Sequence, residues 1–189
     1  MQRIAPLDPS DVPDLDGRVR QIEHDFGFMP NSVRTFARKP ELLSAILDLN
    51  SAILGRGTVS PGLKRLVAYV SSNAAGCRYC QAHTASFADE RLGVDAEKVR
   101  NAFLFEDSPL FDDAERAALK VAWGAGSAPN AVTDEDFEEL RRHFSDDECL
   151  EIVAVVALYG FFNRWNDTIK TTLEEAPENW AARNEEAIR

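Results

Sequence analysis

The stretch SPGLKRLVAYVSSNAAGCRYCQAHTASF, residues 60–87, predicts two consecutive helices joined at a glycine. Ser60 is a favourable N-cap and Pro61 suits the first helical position, so a helix begins there. Apolar side chains then recur at helical spacing, at Leu63, Leu66, Val67 and Val70. Gly76 ends this helix and places Cys77 at the start of the next one.

Helical signals continue along the rest of the chain. Pro40 and Glu41 open an amphipathic helix that Gly55 stops. Further helices are predicted over residues 78–91, 95–103, 112–124, 133–143, 146–162, 163–174 and 177–187. No segment alternates with a period of two for long enough to indicate a sheet, so the predicted fold is all-α.

The length suits one domain with terminal extensions. The predicted division is an N-terminal arm with a short helix over residues 1–30, a helical domain over residues 31–174 and a polar C-terminal helix over residues 175–189. Three prolines punctuate the acidic arm. Its apolar residues Phe26, Phe28 and Met29 are expected to pack on the body or on another subunit.

The charge balance limits the possible partners. The 189 residues include 32 acidic and 21 basic side chains, a net charge of −11. This charge repels phosphate backbones and anionic lipid, so neither nucleic acid nor a membrane is an expected partner. The longest apolar run, from Ile152 to Phe162, falls short of the roughly 18 residues of a membrane span. The first residues lack a signal-peptide layout, which predicts a cytoplasmic protein with reduced thiols.

Residues 65–80 and 151–166 resemble each other. Val67, Ala68, Val70 and Arg78 in the first stretch have identical counterparts in the second, and Cys77 and Cys80 align with Asn163 and Asn166. Two copies of one helical hairpin would explain the match. The alternative is that two buried helices share small and β-branched residues by chance.

Cys77, Cys80 and His83 form a candidate redox site. A reactive cysteine needs a lowered pKa, and a helix start with a nearby histidine can lower it. Cys80 and His83 share a helix face, so His83 is positioned to take the thiol proton and later return one. The cysteine spacing also permits a disulfide within the turn. The predicted cycle is disulfide formation between the two thiols and reduction by an outside dithiol, without a cofactor.

Two alternatives compete with the redox interpretation. The first alternative is a zinc site, because Cys77, Cys80 and His83 would supply three ligands. Cys149 and His143 are the only other soft candidates for the fourth ligand. Buried cysteines beside a surface histidine are the other alternative. Cys149 itself is expected in the core, and His24 and His143 are expected at the solvated surface. No metal site is predicted.

The chain resembles the alkylhydroperoxidase D-like (AhpD-like), carboxymuconolactone decarboxylase superfamily, in its peroxidase-related branch. The similar stretches span most of residues 26–168 and include FGFMPNSVRTFARKPELLSAI, LVAYVSSNAAGCRYCQAHTA and FDDAERAALKVAWGA. The resemblance implies an all-helical homo-oligomer with the CxxC pair near a subunit interface, and reduction of a hydroperoxide. It implies Cys80 as the peroxidatic thiol, Cys77 as the resolving thiol and His83 as the proton relay. In the best-known members a lipoyl-bearing protein donates the electrons.

Two departures from the family pattern stand out. The family motif is CxxCxxxH, but Thr84 occupies its histidine position and the histidine lies one residue earlier. Peroxidase members also carry a glutamate twelve residues before the first cysteine, where this chain has Arg65. Arg65 could act as a fixed cation near the thiols or lie at the surface. Glu151, at the matching position of the second stretch, is a speculative acid partner.

These departures keep two other functions open beside peroxide reduction. One is a redox-sensing or interaction protein whose disulfide changes its assembly with little turnover. The other is decarboxylation of a lactone acid, which does not depend on cysteines.

Overall fold

The computed structural model describes residues 2–187, and within that range it contains helices and no strands. The all-α prediction is therefore confirmed. The α-helices, in chain order, are α1 (Arg18–Phe26), α2 (Asn31–Phe36), α3 (Pro40–Leu54), α4 (Pro61–Ala74), α5 (Arg78–Glu90), α6 (Ala96–Arg100), α7 (Asp113–Gly126), α8 (Asp134–His143), α9 (Asp146–Ile169) and α10 (Glu175–Arg183). Short 3-10 turns lie at Pro9–Asp11, Ala102–Leu104 and Glu185–Ala187.

Helix α4 forms the centre of the molecule. It packs against α5, α7 and α9, and every residue from 66 to 73 is buried. Small side chains on α4 allow close neighbours: a Cβ added at Gly126, the last residue of α7, would lie 2.6 Å from the backbone oxygen of Ser71. A glycine is therefore required where α7 meets α4.

The predicted starts of α4 and α8 are observed. The Ser60 side chain accepts a hydrogen bond from the N–H of Leu63. Thr133 and Asp136 form a capping box at the start of α8. These caps fix where α4 and α8 begin.

Helix α9 corrects the prediction for residues 151–166. The sequence predicts a break between 162 and 163 and a second hairpin, but α9 runs unbroken from Asp146 to Ile169 and ends at Lys170, whose φ is 56°. The second hairpin is therefore absent at these residues. Helices α4 and α9 are both packed into one core, which accounts for their shared small and β-branched residues.

The N-terminal segment packs on the body of its own chain. Val19 and Phe36 are buried in a cluster with Leu43 and Ile46 of α3. Arg91 donates a hydrogen bond of 2.7 Å to the backbone oxygen of Phe26. The N-terminal segment is therefore part of the folded body of its own chain. Among the helices of residues 2–187, none has the length and apolar character to cross a membrane.

Helix α10 is less solvated than its polar composition predicts. Trp180 is 1% exposed, and its ring N–H donates a hydrogen bond of 2.8 Å to Asp89 of α5. Packing of α10 on α5 also places the residue before it, Glu174, beside the face of α5 that carries His83.

Candidate active site

The cysteine pair lies at the turn between α4 and α5. Gly76 has a left-handed backbone with φ 72°, a conformation that suits glycine. Cys77 is the N-cap residue of α5, and Cys80 lies in its first turn, as predicted. The unpaired N–H groups at a helix start favour negative charge, which is the environment that a thiolate requires.

The two thiols contact each other inside the protein. Both cysteines are free, and they are 1% and 3% exposed. A hydrogen bond from the Cys80 thiol lowers the pKa of Cys77, whereas burial raises the pKa of Cys80 well above its ordinary value. Of the two thiols, Cys77 is therefore the one that loses its proton more readily. The role of His83 as the base for Cys80 stays a prediction, and Cys77 is a nearer acceptor of that proton.

Helix α9 contributes a hydrogen-bond donor to Cys80. The Nδ2 atom of Asn166 lies 3.5 Å from the Cys80 sulfur, and this bond favours the thiolate of Cys80 against the effect of burial on its pKa. The Asn166 Oδ1 atom is buried and has no hydrogen-bond partner among the described residues. Asn166 is the residue that aligns with Cys80, so the two similar stretches meet at the thiol.

A carboxylate that the sequence analysis did not identify holds His83. The Nε2 atom of His83 lies 2.6 Å from an oxygen of Glu174, and both side chains are 11% exposed. The second Glu174 oxygen accepts hydrogen bonds from the Tyr79 hydroxyl, at 2.9 Å, and from the N–H of Asn31. Burial raises the pKa of Glu174, but the hydrogen bond and charge of His83 outweigh burial, and the net pKa is lowered. Glu174 is therefore an ionised anchor for the imidazole.

Aromatic rings fix the plane of the imidazole. The His83 ring stacks on Tyr79 with 4.3 Å between ring centroids. Phe26 and Phe28 each lie 5.8 Å away, so two of the three apolar arm residues pack on the histidine of their own chain. This packing and the Glu174 contact leave the ring little rotational freedom.

Thr84, at the family's histidine position, has a structural role. It is fully buried, and its hydroxyl donates a hydrogen bond of 2.7 Å to the backbone oxygen of Cys80. The histidine one residue earlier lies instead on the cavity beside Cys80. The shift of one position therefore keeps a histidine at the site.

Cys80 and His83 line one cavity of about 120 Å³. Most of its wall is apolar and comes from the arm, α2, α3 and α9, with Ile22, Phe26, Val33, Phe36, Leu43, Ile46, Leu47 and Phe162. Polar side chains also enter the wall, from Ser32, Asn50, Arg65, Tyr79, Tyr159 and Asn166. Cys77 is not part of this wall, so Cys80 is the thiol that a ligand in the cavity meets.

Arg65 lies in the cavity wall. Its Nη1 atom donates a hydrogen bond of 2.7 Å to the Tyr159 hydroxyl, and the guanidinium carbon lies 4.3 Å from the centroid of the Phe87 ring. The sequence left open whether Arg65 lies near the thiols or at the surface. In the structure it lines the same cavity as Cys80. A cation thus occupies the place of the family's glutamate.

Glu151 has a different role from the acid partner suggested by the sequence. It forms an ion pair of 2.9 Å with Lys64, and it accepts hydrogen bonds from the N–H groups of Thr58 and Val59. Lys64 is 2% exposed and also donates to the backbone oxygen of Ile53, at 2.8 Å. Glu151 therefore fixes the loop before α4 and does not line the thiol cavity, so the suggestion was wrong.

The other cysteine and histidines lie outside the cavity wall. Cys149 is buried in the core, as expected. His143 lies 3.2 Å from Glu139, and His24 is an exposed neighbour of Asp25. Across residues 2–187, no group of three or more His, Cys, Asp or Glu side chains is arranged to hold a metal ion.

Comparison with known proteins gives matches along nearly the whole chain. The sequence pattern of the Carboxymuconolactone decarboxylase family matches residues 40–123. The crystal structure of the debrominase Bmp8 is 37% identical, covers 97% of both chains and has a TM-score of 0.88. A cysteine-to-alanine variant of Bmp8 in complex with 2,3,4-tribromopyrrole is 36% identical over 96% of both chains, with a TM-score of 0.90.

More distant matches agree in fold. A peroxidase-related protein with an alkylhydroperoxidase AhpD core from Ralstonia eutropha is 23% identical, covers 93% of this chain and 94% of its own, and has a TM-score of 0.78. The uncharacterized protein YnjA of Escherichia coli is 29% identical over 114 residues, 60% of this chain. That match spans 62% of the length of YnjA.

Proposed function

The chain belongs to the AhpD-like, carboxymuconolactone decarboxylase superfamily, and on that premise we propose that it is a thiol-dependent reductase that removes halogen from small aromatic molecules. The observation that carries the proposal is the cavity: Cys80 opens into an apolar, aromatic wall while its thiol contacts Cys77. A planar apolar ring suits such a wall, and the second thiol completes a two-electron reductant.

The chemistry balances with the two thiols alone. The Cys80 thiolate attacks the halogen, the carbon–halogen bond breaks, and its electron pair remains on the ring carbon, which takes a proton. The Cys77 thiol then loses its proton, attacks the Cys80 sulfur and expels halide. The sum is one aromatic halide and two thiols giving one arene, one disulfide, one halide ion and one proton. An outside dithiol, of a kind still to be identified, restores the two thiols.

His83 is the proposed proton source for the ring carbon. It lies on the cavity beside Cys80, and its Nε2 atom is held by Glu174. A histidine held by a carboxylate is suited to general acid–base work near neutral pH. In this scheme Cys77 receives the Cys80 proton before the attack, because the two thiols already share a hydrogen bond.

The relationship to Bmp8 supports the choice of aromatic halides. That debrominase matches this chain from end to end at 36% identity, and its cysteine-to-alanine variant binds a brominated pyrrole. A cavity of roughly 150 Å³ in another protein accepts benzene, so the cavity of about 120 Å³ here is on the scale of one aromatic ring.

Hydroperoxide reduction, predicted from the sequence, is the second candidate. The same thiolate would cut the O–O bond, and the resulting sulfenic acid would condense with Cys77 and release water. The contact between the two thiols favours this cycle equally. The apolar wall distinguishes the two candidate functions, because cleavage of a peroxide does not require a cavity that accommodates an aromatic ring.

The test is a comparison of the two oxidants on the reduced protein without air. Tribromophenol should release bromide and consume two thiols per bromide, and Cys80→Ala should release none. Cys149→Ala, which removes a thiol outside the cavity, is the matched control and should behave as the parent. Rapid thiol loss with cumene hydroperoxide, together with no bromide release from tribromophenol, would favour the second candidate and contradict the first.

A further inference from the structure

Arg65 is a cation without a carboxylate partner in a chain of net charge −11. Among the ion pairs of residues 2–187, none includes Arg65, whereas the neighbouring Lys64 is paired with Glu151. An arginine carries several N–H donors, and Arg65 donates to the Tyr159 hydroxyl. Arg65 lines the cavity with its guanidinium carbon 4.3 Å from the centroid of the Phe87 ring, and its side chain donates no other hydrogen bond within residues 2–187.

Tyr159 adds a second donor at the same place. Its hydroxyl oxygen accepts the hydrogen bond from Arg65, so the hydroxyl hydrogen is free to point toward another acceptor. The side chain is buried and also lines the cavity. Arg65 and Tyr159 therefore place a guanidinium and a hydroxyl donor next to each other in the cavity wall.

The wall contains no carboxylate that would repel an anion. Phe36, Leu43 and Phe162 supply apolar surface. Glu174 is committed to His83, Tyr79 and Asn31 and is not part of the wall. The other polar side chains of the wall are Ser32, Asn50, Tyr79, His83 and Asn166. In such surroundings the attraction between a fixed cation and an anion is stronger than in water.

We infer that Arg65 and Tyr159 bind the negatively charged oxygen or nitrogen of an aromatic acid, so that the substrate enters as the conjugate base of a halogenated phenol or azole. The inference rests on the function proposed above, and it narrows the substrate class from aromatic halides to acidic ones. Ring halogens make a phenol more acidic, so polyhalogenated phenols such as tribromophenol are largely anions at neutral pH while their methyl ethers stay neutral.

The test measures binding without turnover. In a Cys80→Ala background, calorimetry would compare tribromophenol with its methyl ether, tribromoanisole, at neutral pH. We expect Arg65→Gln to weaken tribromophenol binding roughly tenfold to a hundredfold, as for loss of a hydrogen bond to a charged group. Tribromoanisole binding should not change, which also shows that the variant is folded. Arg65→Lys should restore part of the loss.

Arg78→Gln is the matched control, because Arg78 is an exposed cation on α5 outside the cavity wall. It should leave both affinities unchanged. Equal weakening of both ligands in Arg65→Gln, unchanged tribromophenol binding, or no tribromophenol binding to the parent would overturn the inference. Charge-dependent binding without bromide release from the Cys80 enzyme would contradict only the proposed dehalogenation, so the two failures are distinguishable.

Discussion

The imidazole of His83 is held by Glu174, 91 residues further along the chain, with 2.6 Å between the histidine Nε2 atom and the carboxylate oxygen. The family's glutamate position, twelve residues before the first cysteine, carries Arg65 instead. A carboxylate from the residue before α10 thus holds the histidine, and Arg65 lines the same cavity as that histidine. In the proposed function, Glu174 orients the histidine and Arg65 binds the substrate.

Replacement of Glu174 by glutamine should slow turnover while the fold persists. The amide keeps the size of the side chain but loses the charge that orients and stabilises the imidazolium. We expect roughly a tenfold to hundredfold lower rate, in line with other residues that orient a catalytic group. The measurement is the rate of bromide release by the folded variant. A rate equal to that of the parent would contradict the orienting role of Glu174.

The same variant should change how stability depends on pH. The pKa of Glu174 is lowered in the folded protein, so its contribution to stability is fully present above the ordinary carboxyl pKa and is lost as pH falls through the lowered value. The parent should therefore unfold at a higher temperature than Glu174→Gln at neutral pH. This advantage should shrink in acid. An advantage that grew as the pH fell would contradict the assignment.

Glu151 should affect stability and leave catalysis intact. Glu151→Gln would leave Lys64, which is 2% exposed, without its charged partner. We expect a loss of about 3 kcal/mol in the free energy of unfolding, typical of a broken buried pair. Denaturant unfolding measures the loss, and the double variant Lys64→Met with Glu151→Gln should recover part of it. Slower bromide release by the folded Glu151→Gln enzyme would restore Glu151 as a candidate acid.

The contact between α4 and α7 should leave no space for a methyl group at position 126. Gly126→Ala would place a Cβ 2.6 Å from the backbone oxygen of Ser71. The variant should be destabilised by about 1–3 kcal/mol, as for an overpacked core. Gly160→Ala in α9 is the matched control, because its Cβ would meet only the end of the Arg164 side chain, at 3.9 Å. Equal thermal stability of the two variants would refute the close packing.

The helix starts and the cysteine turn were predictable because their signals are local. Ser60 with Pro61 and the glycine before Cys77 act within a few residues of the structure that they determine. Glu174 could not be identified in this way, because its partner is 91 residues away and the sequence around it has no special pattern. The prediction of a break inside α9 was wrong for a related reason. Similarity to α4 reflects burial in a shared core, and burial does not specify where a helix ends.

The most direct test of the central claim is to map the cysteines after one turnover. Reduced protein would be mixed with one equivalent of tribromophenol without air, blocked with an alkylating reagent and analysed by peptide mass spectrometry. The account predicts a disulfide between Cys77 and Cys80, an alkylated Cys149, and one bromide released per disulfide. Bromide release that leaves Cys77 and Cys80 alkylated and unlinked would contradict it.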